Sequence, residues 1–113
     1  MYDVHVHKYI NEILQDVEGF EWDEGNLTKN LIKHNVSRNE TEQAFVNVPR
    51  LYADDPYHSQ DEDRYVCYGI TNHNRRLFIS FTLRNNKIRP ISVRDQDRKE
   101  RRFYEQATSE KAA

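Results

Sequence analysis

Arginine is concentrated in one stretch, Arg84-Asn-Asn-Lys-Ile-Arg-Pro-Ile-Ser-Val-Arg-Asp-Gln-Asp-Arg-Lys-Glu-Arg-Arg-Phe-Tyr104, which reads as a hairpin strand running into a basic helix. A guanidinium presents a rigid fork of donors that matches paired phosphate oxygens. The chemistry this stretch suits is therefore the binding of a polyanion. The formal charge of −2 for the whole chain hides it. Residues 1–63 carry 5 Lys and Arg against 14 Asp and Glu, whereas residues 64–113 carry 12 against 5. A fold that gathers the second half's cations on one surface can attract a polyanion without being basic overall. Histidine titrates near neutral pH, and His34 and His58 are the candidate proton handlers. His58 lies in an acidic run with Asp54, Asp55, Asp61, Glu62 and Asp63. That run has no recognised ligand spacing, so it reads as a solvated loop, with neither a metal nor another cofactor expected.

The rest of the chain has to position these groups. At 113 residues one domain is expected. Charged residues make up 32%, which implies a very polar surface, but 12% aromatic residues and clear apolar runs argue against disorder. No apolar run approaches the roughly 20 residues of a membrane helix, and Met1–Asn11 has no signal-like apolar segment. A cytoplasmic location without membrane contact is the expectation. The lone Cys67 cannot staple the fold and reads as a small buried strand residue.

Ile10, Ile13, Leu14 and Val17 recur at helical spacing and predict a short helix over residues 8–17, ended by Gly19. Phe20-Glu-Trp22 reads as a strand. Asp23 is placed to cap a helix through Leu27, Leu31 and Ile32, and Asn35 to take the left-handed turn after it. Ser37-Arg-Asn-Glu40 is a capping box for a helix through Ala44 and Phe45. Leu51–Ala53, Tyr65–Ile70, Leu77–Leu83 and Ile88–Val93 read as strands, the last three joined by turns at Asn72–Arg75 and Asn85-Asn86. Asp97 caps a final helix over Arg98–Ala107. The order β-α-α-β-β-β-β-α, with a short extra N-terminal helix, predicts an α+β fold: an antiparallel sheet with helices packed on one face. Residues 1–107 form the single domain, 1–17 being an N-terminal extension and 108–113 a frayed tail.

Strand alternation predicts which side chains share a face. Leu77, Ile79, Phe81 and Leu83 make an apolar face. With a two-residue turn at Asn85-Asn86, Arg84 lies opposite Lys87 and Thr82 opposite Arg89. With a four-residue turn at Asn72–Arg75, Tyr65 lies opposite Thr82. The open face then carries Tyr65, Ser80, Thr82, Arg84, Lys87 and Arg89, while Arg94 falls on the other side. A charged face of this kind also serves simply to keep a sheet from pairing edge to edge.

Phe20-Glu-Trp-Asp-Glu-Gly-Asn26, Lys29-Asn30 and Lys33-His-Asn-Val-Ser37 resemble the opening of the BrnT-type toxins of bacterial type II toxin–antitoxin systems. The similarity continues through Asp55-Pro-Tyr-His-Ser59, Arg64-Tyr65, Gly69, Ile88-Arg-Pro-Ile-Ser-Val-Arg-Asp95 and Glu100-Arg-Arg-Phe-Tyr104, in order, over residues 18–105. The resemblance implies a RelE-like ribonuclease fold and cleavage of RNA that inhibits translation and stops growth. It also implies neutralisation by a BrnA-type antitoxin, whose ribbon–helix–helix segment would bind operator DNA for the complex.

RNA carries its own nucleophile, the 2′-hydroxyl. Cleavage without a metal needs a base for that proton, an acid for the leaving 5′-oxygen, and cations for the phosphoryl oxygens. Arg64, Arg84, Arg89 and Arg94 are the expected phosphate set. Tyr65 could stack a base, and His58 or His34 could move the proton. Thr82 and Lys87 complete the expected RNA-binding surface. The competing reading is a non-catalytic module that binds RNA or an acidic protein with the same face. A DNA-binding domain finds no recognition helix in this sequence.

Overall fold

A computed structural model describes residues 14–25, 33–55 and 62–112. Most of the two helices expected over residues 8–17 and between Asp23 and His34 falls outside these, as does His58. Helix α1 (Arg38–Val46) starts where the capping box is written: Ser37 Oγ accepts from Glu40 N at 3.1 Å and Glu40 Oε1 accepts from Ser37 N at 3.0 Å. Asn35 takes the expected left-handed conformation at φ 52°. Four antiparallel strands follow, β1 (Leu51–Asp54), β2 (Tyr65–Ile70), β3 (Arg76–Arg84) and β4 (Lys87–Asp95), side by side in sequence order. Helix α2 (Arg98–Ala112) runs past the expected end at Ala107. It opens on a second reciprocal cap, in which Asp97 and Glu100 exchange bonds of 2.8 Å. Among the described residues no helix is long and apolar enough to cross a membrane.

The hairpin between β3 and β4 forms as expected. Asn85 and Asn86 both hold positive φ, 52° and 61°, the pair a tight two-residue turn demands. That fixes Arg84 opposite Lys87 and Thr82 opposite Arg89. On the outer edge of β4, Phe20 makes a parallel bridge to Ile88: Ile88 N donates to Gly19 O at 2.9 Å and Glu21 N to Ile88 O at 2.8 Å.

Three expectations are corrected. The connection from β2 to β3 is five residues long, not four, because Thr71 joins the turn. Its N donates to Arg75 O, and its buried Oγ1 accepts from the amides of His73 and Arg75. Tyr65 therefore pairs with Phe81 rather than Thr82, and a one-residue shift reverses its face.

A bulge then changes the far half of β4. Phe81 pairs with Pro90 but Ser80 with Ser92, leaving Ile91 as the extra residue. Pro90 sits at the bulge, as prolines within sheets do. The amide of Ile88 points to the outer edge, and so does the nitrogen of Pro90 two residues on, so β3 loses no bond. Beyond the bulge Arg94 lies opposite Phe78. It thus joins the face that carries Arg84 and Arg89, contrary to the expectation that it lies on the other side.

The helices cover both faces of the sheet, not one. On the first face Ala44 and Phe45 of α1 pack with Cys67, Leu77, Ile79 and Phe81. On the second, Tyr104 of α2, flanked by Phe103 and Ala107, packs with Leu51, Val66, Tyr68 and Phe78. The reason lies in β2: residues Tyr65 to Gly69 are all buried, and a strand apolar on both sides needs two covers. Each fully buried large side chain contributes about 1.5–3 kcal/mol, so neither layer is dispensable. The part of the second face that α2 leaves uncovered, toward the hairpin, positions the candidate site.

Candidate functional site

Arg64, Arg84 and Arg89 converge on one open groove of about 420 Å³, shared with Asp23, Glu62 and Ile91. Arg84 and Arg89 come from the two arms of the β3–β4 hairpin. Arg64 immediately precedes β2, in line with Thr82 by the β2–β3 register. The groove therefore rests on the tight turn and on the central strands, a rigid platform for side chains that must hold a fixed geometry.

Carboxylates hold Arg84 and Arg89. Arg89 Nη2 donates to Asp23 Oδ2 at 2.7 Å and Nη1 to Glu21 Oε1 at 3.2 Å. Arg84 grips Glu62 with two bonds, Nη2 to Oε1 at 2.9 Å and Nε to Oε2 at 3.2 Å. The Arg84 hydrogen bond, then the charges of Arg84, Arg64 and Arg89, keep the Glu62 carboxyl below the usual range. Sequence reasoning missed Glu21, Asp23 and Glu62. The signal for them was the charge asymmetry itself: the acidic first half supplies counter-ions to the basic second half.

Arg94 lies further along the same face, four residues from Arg89's partner along β3, which is about 13 Å at strand rise. Its guanidinium stacks 4.4 Å above the ring of Phe78 and makes a two-pronged pair with Glu100 at 2.7 and 2.9 Å. Ser80 and Ser92, opposite one another, lie between Arg94 and the groove.

The other expected site residues separate. Lys87 is exposed beside Arg84 at the hairpin tip. Thr82 is 1% exposed and donates to the carbonyl of Asp63, so it braces the groove floor and does not offer a surface hydroxyl. Tyr65 is buried against Phe81 on the opposite face, and burial raises its phenol. Cys67 is fully buried, and burial pushes its thiol up, which fits a packing residue.

His34 belongs to a different assembly. Its carbonyl and that of Asn35 accept from Arg75 at 3.1 and 2.8 Å, while the same guanidinium binds both oxygens of Asp95 and reaches Glu40 at 3.1 Å. This hub ties the start of α1 to the end of β4. Asp95 pairs with Leu77, seven residues along β3 from Arg84, about 23 Å away. The hydrogen bond from Arg75 keeps the Asp95 carboxyl low. Burial raises that of Glu40, but bonds from Ser37 and Arg75 outweigh it and leave it lowered. Carboxyls lowered by folding add stability above their unfolded values, about 4, and lose it as the pH falls through the folded ones. Chemical denaturation from pH 6 to pH 3 should therefore show a shallower loss of stability in Arg75→Ala than in the parent. An unchanged slope would mean that the hub carries no linkage.

The groove offers a cluster of guanidinium forks on a firm base, the arrangement that suits the oxygens of a phosphodiester. The family model described as "Ribonuclease toxin, BrnT, of type II toxin-antitoxin system" matches residues 22–100. That span holds every residue that lines the groove. No curated protein matches the sequence.

Proposed function

This chain belongs to the family of BrnT ribonuclease toxins of type II toxin–antitoxin systems, and from that premise we propose that it is an endoribonuclease which cuts RNA in the arginine groove without a metal. The observation that carries the reading is the convergence of Arg64, Arg84 and Arg89 on one groove within the matched span.

The chemistry follows from what a phosphodiester needs. The 2′-oxygen attacks phosphorus, its proton passes to a base, and the P–O5′ bond breaks as the leaving oxygen gains a proton. The products are a 2′,3′-cyclic phosphate and a 5′-hydroxyl. Arg64, Arg84 and Arg89 hold the phosphoryl oxygens while charge builds on them, which is often the largest catalytic contribution. Arg94, on the same face, takes a neighbouring phosphate, and Lys87 extends the cationic surface at the hairpin tip. His58 is the proposed proton handler. His34, at the other end of the sheet, is too far from the groove to share that step. Tyr65 and Thr82 keep structural roles. Loss of mRNA would inhibit translation, and a BrnA-type antitoxin with a ribbon–helix–helix segment is the proposed neutralising partner.

One observation favours a second reading: Arg84 and Arg89 already hold carboxylates, as they would in a module that docks an acidic protein. Incubation of the purified protein with RNA separates the two. Cleavage is expected, while intact RNA would favour the module.

A further inference from the structure

Glu62 and Arg84 meet in the geometry an RNA phosphate would adopt. Two oxygens of one carboxylate face two nitrogens of one guanidinium, at 2.9 and 3.2 Å. Phosphate takes the same fork. The donors that Arg84 would offer to RNA are therefore occupied by the chain's own carboxylate.

The other carboxylates of the groove stand differently. Glu21 is pinned by its backbone bond to Ile88, and Arg89, which it holds together with Asp23, is only 20% exposed. Each takes a single nitrogen of Arg89, so neither fills its fork as a phosphate would. Glu62 and Arg84 are 30% and 46% exposed, and a pair so open to water is weak and exchangeable. Glu62 lines the same groove as Arg64, Arg84 and Arg89, and the hydrogen bond from Arg84, with the charges of all three, lowers its carboxyl.

We infer that Glu62 is an internal phosphate mimic: it occupies the phosphate-binding fork of Arg84 in the free protein, and RNA must displace it to bind. This rests on the groove being the RNA site, and it adds a residue that sets how tightly that site takes a phosphodiester. Glu62 tunes affinity by competition and has no part in bond breaking. A poly-anionic ligand displaces it readily. A lone phosphodiester, with one charge and one contact, does so less readily, so the competition favours chains over isolated phosphodiesters.

The test uses a 2′-O-methyl oligoribonucleotide, which has no free nucleophile, so binding is read without cleavage. Glu62→Gln keeps the shape and removes the competing charge. It should bind about two- to fivefold more tightly than the parent, the range that the loss of an exposed ion pair allows. The gain should vanish when the same change is made in an Arg84→Ala background, because the fork it frees is gone. Equal or weaker binding by Glu62→Gln, or a gain that persists without Arg84, overturns the inference while leaving the RNA site in place. No binding by the parent or by either variant overturns both.

Discussion

Replacing Arg89 with alanine should lower kcat/KM for RNA cleavage about 10²–10³-fold, the usual cost of removing one preorganised donor from a developing oxyanion. Arg89 is less exposed than Arg84, 20% against 46%, and is held by two carboxylates, Glu21 and Asp23. It stands on β4 two residues inside the hairpin, opposite Thr82, so neither strand can shift to bring another cation into its place. The carboxylates it leaves behind are 33% and 50% exposed and are taken up by water. Stability should therefore change by about 1 kcal/mol or less. Arg89→Lys keeps the charge but loses the planar fork, and should recover only part of the activity. Steady-state cleavage of a defined RNA, with a thermal melt of each variant, separates a lost contact from a lost fold. Full activity in Arg89→Ala would remove this residue from the site.

Replacing Gly69 with alanine should cost about 3 kcal/mol of stability, the upper end for overpacking. A Cβ on Gly69 would lie 2.5 Å from the Ala44 carbonyl oxygen and 2.8 Å from the Ala44 Cβ. The oxygen belongs to the backbone of α1, so no side-chain rotation relieves the clash. The helix must lift from the sheet, and it carries Phe45 with it. That ring stands at 5.1 Å from Phe81, 5.5 Å from Phe20 and 6.4 Å from Tyr52, edge-on to the first two and stacked with the third, and the whole aromatic cluster would loosen. For a domain of this length the melting temperature should fall by about 10–15 °C, measured by circular dichroism. A change within about 2 °C would mean that the close approach of α1 to β2 does not constrain the fold.

Local signals are legible in the sequence. Ser37 with Glu40, Asp97, Asn35 and the Asn85-Asn86 pair each act within a few residues, so their roles were visible without tertiary structure. The register set by that turn placed Arg84, Lys87 and Arg89 together. What could not be read were the features decided by one residue at a distance. Thr71 lengthened a turn and sent Tyr65 to the other face, while Arg64 took the place expected for it. Ile91 bulged and brought Arg94 to the shared face; Pro90, a proline in mid-strand, was the available warning. The all-apolar run of β2 likewise announced a strand covered on both sides. The site's carboxylates stayed invisible because ion pairs between Arg84 and Glu62, or Arg89 and Glu21, span 22 and 68 residues. Neither hydrophobic period nor local spacing reports on contacts of that length.

The proposed function requires the arginine groove to turn an RNA 2′-hydroxyl on its own phosphodiester without a metal. The most direct measurement compares two oligoribonucleotides in EDTA, identical except for a single 2′-deoxy sugar immediately 5′ of a mapped cut. The all-ribose strand should be cut, with a 2′,3′-cyclic phosphate on one product and a 5′-hydroxyl on the other, and the substituted strand should stay whole at that position. Cleavage of the substituted strand at the same bond, or cleavage of the all-ribose strand only when a divalent cation is restored, would contradict it.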